Sequence, residues 1–277
     1  MNPYFKKKPT KIEIDSLIEL NEKKNFVALE EHCLSLLNDF PNHSEVQNFY
    51  GVSLAGQELY QESLKVFFKA TIDAEKGTSK AKILNNIGVS YIKLDEHKNA
   101  INYLEKALIE NPQSVSAHFN LANSLRSNGE VHSSLQVYKD TLQLEPNHGN
   151  SIVYYSIALK TLGNFDESIL YCKKALDIRS DWGMVHRHLG SMIKYSKDNG
   201  HLRDMLSLIK KSDLVKEDRM HISFAISKAY EDIGEYQLAF KFLLKGNSLF
   251  REDINFSSKN SNNYFRANKE TFSKEIC

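Results

Sequence analysis

The sequence has 277 residues, with 36 Lys and Arg against 35 Asp and Glu and a formal net charge of +1. A chain so close to neutral has no overall electrostatic field that would attract nucleic acid or an anionic membrane. Its three cysteines are odd in number and far apart, which is not typical of a disulfide framework, and it shows neither a secretory signal pattern nor an apolar run of about 18 residues. We therefore expect a soluble, reduced, cytoplasmic protein that binds no nucleic acid and no membrane.

The chain repeats itself at intervals of 34 or 37 residues. Small residues lie in the middle of successive apolar stretches, at Gly51, Gly88, Ala122, Ser156, Gly190 and Ser227. A second series follows each of these with the same spacing, at Ser63, Ala100, Ser134, Ser168, Leu202 and Ala239. A fixed period of this size is typical of a solenoid built from pairs of helices.

The stretch LNNIGVSYIKLDEHKNAINYLEKALIENP, residues 84–112, shows how one period is built. Gly88 lies on the apolar face of a first helix, and Ala100 and Ala107 lie on one face of a second helix, seven residues apart. Small side chains let two antiparallel helices approach closely without leaving voids. Pro112 then ends the second helix, because the residue before a proline is disfavoured in the α conformation.

A small residue, an aromatic one three positions later, glycine in the turn, then Ala or Ser and a closing Pro form a pattern that resembles the tetratricopeptide repeat. The resemblance implies an all-α fold, an α–α superhelix (solenoid) of about seven helix-turn-helix repeats. We expect the array at residues 11–246 with a degenerate first repeat, a flexible N-terminus at 1–10 and a helical extension or linker at 247–277. The two longer steps predict extra loop residues around 75–80 and 212–218.

Few residues suggest chemistry, and each has a structural explanation. Gly77–Lys80 looks like a phosphate-binding loop, but such loops follow a strand, and helices are predicted on both sides here. His186 and His188 are two residues apart and point to different faces of a helix, which does not suit joint metal ligation; we expect surface or groove positions for them. Cys33 and Cys172 fall where other repeats have core residues. We predict no catalytic residue, no cofactor and no metal in this chain.

The first helices of such repeats line a concave groove that binds extended partners. Arg126, Lys160 and Lys194 recur every 34 residues and would form a basic ladder suited to a protein or peptide with an extended acidic segment. Asn85 and Asn123 would hold the backbone of that segment through their amides. Cations near helix C-termini also complement the helix dipole, so simple capping remains equally open. The predicted groove residues are Asn85, Phe119, Asn123, Arg126, Lys160, Arg187, Lys194 and Lys228.

The stretch FAISKAYEDIGEYQLAFKFLLKGNSLFRED, residues 224–253, fits the repeat. After a polar break, YFRANKETFSKEIC predicts the start of a further helix with Phe265 and Phe272 on one face. The combination resembles the last repeat of bacterial tetratricopeptide-repeat sulfotransferases, which reads F-A-x-x-K-A-x-E-D-x-G-x-Y-x-x-A-F followed by Gly-Asn. In that family a domain follows whose Gly/Ser/Thr-rich loop binds the 5′-phosphosulfate of 3′-phosphoadenosine-5′-phosphosulfate.

The resemblance implies that the chain is the substrate-recognition part of such an enzyme, with the catalytic domain absent from it. None of the family's catalytic or cofactor-binding residues can be placed on this sequence. A stand-alone adaptor or scaffold built of repeats is an alternative, and so is the repeat arm of a glycosyltransferase. In each case the chain itself would recognise a protein or peptide.

Overall fold

Every regular element in residues 8–253, the part of the chain that the computed structural model describes, is an α-helix. The fourteen helices there correspond to about seven repeats of two helices, so the predicted all-α solenoid fold is confirmed. The chain divides into two compact units, which end and begin at Asn164 and Phe165. We call them the N-terminal and the C-terminal unit.

The N-terminal unit consists of successive helix pairs in chain order. Within this unit each first helix except the last packs against its own second helix and against the next first helix, and each except the first packs against the second helix of the preceding pair. The helices are α1 (Lys11–Glu22), α2 (Phe26–Asp39), α3 (Ser44–Gly56), α4 (Tyr60–Asp73), α5 (Thr78–Lys93), α6 (His97–Glu110), α7 (Val115–Ser127), α8 (Val131–Leu144) and α9 (Gly149–Thr161).

Local capping explains where several of these helices begin and end. Thr10 and Glu13 form a capping box at the start of α1, which satisfies otherwise unpaired backbone N–H groups. The turns inside the pairs need a residue with positive φ, and glycine supplies it at the predicted places, at Gly129, Gly163 and Gly234. In the first three pairs the same role falls on non-glycine residues, namely Lys24, Glu58 and Asp95.

Close packing at the small residues follows the predicted pattern. A Cβ atom added to Gly88 would lie 2.6 Å from Cγ of Leu104, across the pair α5–α6. The thiol of Cys33 occupies the buried place that Leu104 has in its own pair, with no solvent exposure, and burial raises its pKa to about 12. Cys172 in the C-terminal unit is equally buried, so both cysteines are core thiols as predicted.

The predicted extra loop residues at 75–80 are wrong. The connection before α5 has the same four residues, 74–77, as the other connections between pairs in this unit, and the additional residues instead lengthen α5 to 16 residues. Gly77 makes the early start possible because it has a φ of 88° at the N-cap, and its N–H donates to Oε2 of Glu110 at 2.8 Å. The second predicted insertion, around 212–218, is confirmed only in part: residues 209–215 form a loop, whereas residues 216–218 already belong to α13.

The C-terminal unit is organised around one long helix. Its helices are α10 (Phe165–Ile178), α11 (Gly183–Gly190), α12 (Gly200–Leu208), α13 (Lys216–Ile233) and α14 (Tyr236–Asp253). Helix α13 packs against α11, α12 and α14, and the fully buried Met205, Ile222 and Ile226 lie in its core. Helix α11 has only eight residues, and the segment 191–199 that follows is not helical.

Helix α14 continues through Gly246 to Asp253. A Cβ atom at Gly246 would lie 2.8 Å from the ring of Phe224, which confirms that this glycine fills a small-residue packing place. The further helix predicted around Phe265 and Phe272 lies outside the described residues and stays a prediction. Among residues 8–253, no helix has the length and apolar character needed to cross a membrane.

Candidate functional site

The predicted groove residues of the N-terminal unit all lie on its first helices, α5, α7 and α9. Each is partly buried. They are Asn85, Phe119, Asn123, Arg126 and Lys160. The prediction that these positions fall on first helices of successive pairs therefore agrees with the structure, and their contacts decide what each side chain can do.

Asparagine side chains link neighbouring first helices. The Oδ1 atom of Asn85 on α5 accepts a hydrogen bond of 2.9 Å from Nδ2 of Asn120 on α7. One helix earlier, Nδ2 of Asn86 donates to Oδ1 of Asn48 on α3, also at 2.9 Å. Part of the predicted binding capacity of Asn85 is thus used inside the protein. Asn48, Asn86 and Asn120 could not be identified from the sequence, because their pairing depends on how the helices are stacked.

An aromatic cluster surrounds Phe119. Its ring centroid lies 5.3 Å from that of His148, 5.7 Å from Tyr154 and 6.5 Å from Tyr138. The hydroxyl of Tyr138 donates a 2.6 Å hydrogen bond to Oδ1 of Asn123, and burial raises the pKa of this tyrosine to about 12. The predicted residues Phe119 and Asn123 are therefore joined through one buried side chain.

Arg126 lies beside this cluster. Its guanidinium carbon is 5.4 Å from the centroid of the Tyr154 ring, a distance that suits a cation–π contact. Its Nε is buried and has no hydrogen-bond partner within the described chain. Arg126 is in the last turn of α7 and Lys160 is in the last turn of α9, so both positions also complement the helix dipole.

In the C-terminal unit the predicted helical position of Lys194 is wrong. Because α11 ends at Gly190, Lys194 lies in the non-helical segment that follows, and its ammonium is 3.5 Å from Oδ1 of Asp232. Lys228 also pairs with Asp232, and its Nζ donates to the carbonyl of Ile193 at 2.6 Å. These two lysines hold the non-helical segment in place. The predicted basic ladder assumed that Lys194 lies on a helix. Because it does not, helical spacing no longer predicts that Lys194 continues the ladder.

Arg187 lies on a first helix, as predicted. It is exposed on α11, and its guanidinium carbon is 4.7 Å from the centroid of the Phe224 ring on α13. This places a cation over an aromatic face at the surface of the C-terminal unit. Whether Arg187 and Lys228 contact a partner stays a prediction.

The expectation of a surface or groove position for His186 is wrong, since its side chain is buried at 2% exposure. Its Nε2–H donates to the carbonyl of Ser180 at 2.8 Å, and its Nδ1 accepts from Nε2–H of His201, also at 2.8 Å. The chain continues because Nδ1 of His201 accepts from the hydroxyl of Tyr195 at 2.8 Å. We call His186, His201 and Tyr195 the histidine relay.

Burial governs the protonation of the relay. It lowers the pKa of His201 to about 4, helped by the neighbouring His186, and it lowers the pKa of His186 as well. Both rings are therefore neutral at neutral pH, in agreement with one proton in each hydrogen bond. In the part of the chain that the structure describes, no group of three or more His, Cys, Asp or Glu side chains is arranged to hold a metal ion.

A cleft of about 800 Å³ opens in the N-terminal unit. Its walls come from residues 8 and 9, from the first helices α1, α3 and α5, from the last residues of α2 and α4, and from the connections before α3 and α5. Apolar side chains alternate there with charged ones, and four carboxylates face two lysines: Asp39, Glu45, Asp73 and Glu75 against Lys8 and Lys82. This site was not predicted from the sequence, in which the first repeat is degenerate and the predicted groove residues lie farther along the chain.

Two segments of the sequence match the tetratricopeptide repeat family. They are residues 81–114 and residues 155–181. The chain is also 24% identical over 83 residues to Superkiller protein 3 of Saccharomyces cerevisiae. That match covers 30% of this chain and only 6% of the yeast protein.

Solved structures agree with this assignment. The chain is similar to a tetratricopeptide repeat protein from Parabacteroides merdae with a TM-score of 0.62 and 18% identity, covering 90% of this chain and 94% of that one. It is similar to MamA with a TM-score of 0.52 and 22% identity, covering 58% and 93% of the two chains. At such identities the likeness establishes the fold. The predicted tetratricopeptide repeats are confirmed; these matches do not test the resemblance to sulfotransferases.

Proposed function

We propose that the chain is a scaffold that binds a protein or peptide in extended form on the first helices of its N-terminal unit. The observation that carries this proposal is the cluster of Phe119, Tyr154 and Arg126 on the neighbouring first helices α7 and α9. Partly buried aromatic and arginine side chains are the residues that most often dominate binding energy at interfaces. Stacked helix pairs supply the extended concave surface that such a partner needs.

The charges of this region favour an acidic partner. Arg126 and Lys160 each occupy the last turn of a first helix, 34 residues apart. A partner segment would place one carboxylate on each of these two cations. An aromatic side chain of the same segment would stack on Phe119. Affinity should then fall as salt is added, because exposed charge pairs are screened over about 10 Å at 0.1 M ionic strength.

The test uses a labelled peptide of alternating Glu and Ser residues that carries one Phe, titrated with the full chain and followed by fluorescence anisotropy. Lys160→Glu should weaken binding about tenfold, equivalent to about 1.4 kcal/mol. Lys139→Glu on the exposed surface of α8 makes the same charge change away from the first helices and should leave affinity within about twofold. Equal affinities for Lys160→Glu and the unmodified chain would overturn the acidic-partner proposal.

A second candidate narrows the same role to substrate recognition in a tetratricopeptide-repeat sulfotransferase. It is supported by the sequence pattern of residues 224–253, in which two of the matched residues, Phe224 and Gly246, pack against each other. The test is the reading frame beyond codon 277. A strand followed by a Gly/Ser/Thr-rich loop would support this candidate, whereas a stop codon would favour a stand-alone adaptor.

A further inference from the structure

The cleft at the α1 end of the N-terminal unit combines an apolar floor with an acidic rim. Ile14 and Phe49, on two successive first helices, are partly buried and contribute apolar surface, whereas Ile83 on the next first helix lines the cleft with almost no exposed surface. The rim carries the carboxylates of Asp39, Glu45, Asp73 and Glu75, all on exposed residues. With Lys8 and Lys82 as the cations of the wall, the described residues that line the cleft carry two negative charges in excess.

The rim carboxylates form no ion pair within residues 8–253. Among the described residues, none of the four rim carboxylates lies within ion-pair distance of a lysine, arginine or histidine. The equivalent position one repeat later behaves differently, because Glu110 accepts from the N–H of Gly77 at 2.8 Å and lies 3.5 Å from Nζ of Lys80. The charges of the cleft are therefore available to a ligand.

Two of the rim carboxylates occupy positions that cost stability. Asp39 is the last residue of α2 and Asp73 is the last residue of α4, 34 residues apart. The C-terminal end of a helix carries partial negative charge, so an anion there is unfavourable. The same unfavourable position is occupied in two successive second helices. Binding of cationic groups by these carboxylates would explain it.

We propose that this cleft binds a basic stretch of an extended polypeptide, with Lys or Arg side chains on the acidic rim and the intervening residues on the apolar floor. The inference rests on the proposed function in one respect, that the chain takes up an extended polypeptide. It adds a second subsite of opposite charge to the region around Arg126 and Lys160. Asp39 and Asp73 bind the cationic side chains.

The experiment compares two labelled peptides on the full chain by fluorescence anisotropy, the Glu–Ser peptide described above and its counterpart with Lys in place of Glu. The double variant Asp39→Asn/Asp73→Asn should bind the Lys peptide about tenfold more weakly. Glu31→Gln/Glu105→Gln removes the same charge from exposed positions on α2 and α6 and should stay within about twofold of the unmodified chain. The first variant should fold at least as stably as the unmodified chain, since it removes two anions from helix C-termini.

Several results would overturn the inference. Equal loss of affinity in both double variants would mean that only net charge matters. Binding of the Glu peptide without binding of the Lys peptide would reject the basic subsite and leave the proposed function standing, whereas binding of neither peptide would reject both. Displacement of the Lys peptide by CaCl₂, but not by NaCl at matched ionic strength, would make the cleft a cation site instead.

Discussion

The regular helix pairs of the N-terminal unit and the pair α11–α12 of the C-terminal unit share one sequence period but are stabilised differently. In the regular pairs a small residue faces a large apolar one, as Gly88 faces Leu104. Helix α11 is cut to eight residues, and the segment after it is held by Asp232 of α13, which accepts from the N–H of Tyr195 at 3.1 Å. The period sets where helices recur, whereas a shortened helix needs polar contacts to replace lost packing.

The start of α11 shows the same dependence on polar groups. Asp218 of α13 is buried at 5% exposure, and its Oδ1 accepts from the N–H of Gly183 at 2.8 Å. Its other oxygen pairs with Arg179. Helix α11 is therefore tied to α13 at its first residue by a carboxylate and just beyond its last turn by another, where the regular pairs rely on fitted side chains.

The largest expected difference between the regular pairs and the contact of α11 with α13 is their tolerance of an added methyl group. In Gly183→Ala the new Cβ would lie 2.5 Å from Cα of Asp218, and because that atom is backbone, α13 would have to move. We expect a loss of about 3 kcal/mol in the free energy of unfolding. Gly88→Ala meets only the flexible side chain of Leu104, and its gain in helix propensity of about 1 kcal/mol offsets part of the strain.

Urea unfolding measures this contrast, with the fluorescence of Trp182, next to Gly183, reporting on the C-terminal unit and circular dichroism on the whole chain. Ala122 stands at the place equivalent to Gly88 in the next repeat, so Gly88→Ala should cost no more than about 1 kcal/mol. If Gly88→Ala costs as much as Gly183→Ala, the distinction between side-chain and backbone neighbours does not hold.

A smaller difference in stability should appear on acidification, because the histidine relay joins α11 to α12 through His186 and His201. The folded-state pKa of His201 is about 4, below the value of about 6.5 for an unfolded histidine. Between these values the unfolded chain binds a proton that the folded chain does not. Stability is therefore retained above about pH 6.5 and lost as the pH falls toward 4, with a loss of about 2 kcal/mol at pH 5.

Urea unfolding of the unmodified chain and of His201→Gln, at pH 7 and pH 5 with Trp182 fluorescence, checks this prediction. The variant lacks the titrating group, so its stability should change less between the two pH values. NMR of the His201 ring should place its titration midpoint near pH 4. A midpoint near 6.5 would show that the relay does not exclude the proton.

The repeated features of the fold could be read from the sequence because they depend on residue type at fixed spacing. The turn glycines Gly129 and Gly163 are examples. Residue type gave no sign that Lys24, Glu58 and Asp95 take positive φ in the same turn. There the stacking of the pairs imposes a conformation that costs about 1–2 kcal/mol per residue outside glycine.

The candidate sites were predicted less completely, because they depend on contacts between different helices. Phe119 and Arg126 could be placed on first helices from their spacing. The contact between His186 and His201 could not be predicted in this way. Helical projection assumed a first helix that continues past Gly190, where α11 ends. The acidic cleft draws its carboxylates from four separate segments, and the 34-residue spacing of Asp39 and Asp73 was the available signal.

The smallest expected effect concerns a polar contact between two neighbouring regular pairs. The hydroxyls of Ser63 on α4 and Ser90 on α5 lie 3.0 Å apart and are buried. Ala100 and Ala239 occupy the place of Ser63 in other repeats, so Ser63→Ala fits the packing and should lower the free energy of unfolding by about 1 kcal/mol.

The double variant Ser63→Ala/Ser90→Ala separates the hydrogen bond from the packing. Removing both hydroxyls leaves no buried group unpaired and should recover part of the loss, which a double-mutant cycle by urea unfolding measures. A loss as large as that of Gly183→Ala would contradict the comparison, since it would mean that the regular pairs also depend on buried polar contacts. A small loss in the free energy of unfolding would support the view that buried polar contacts matter more in the C-terminal unit, where α11 has only eight residues.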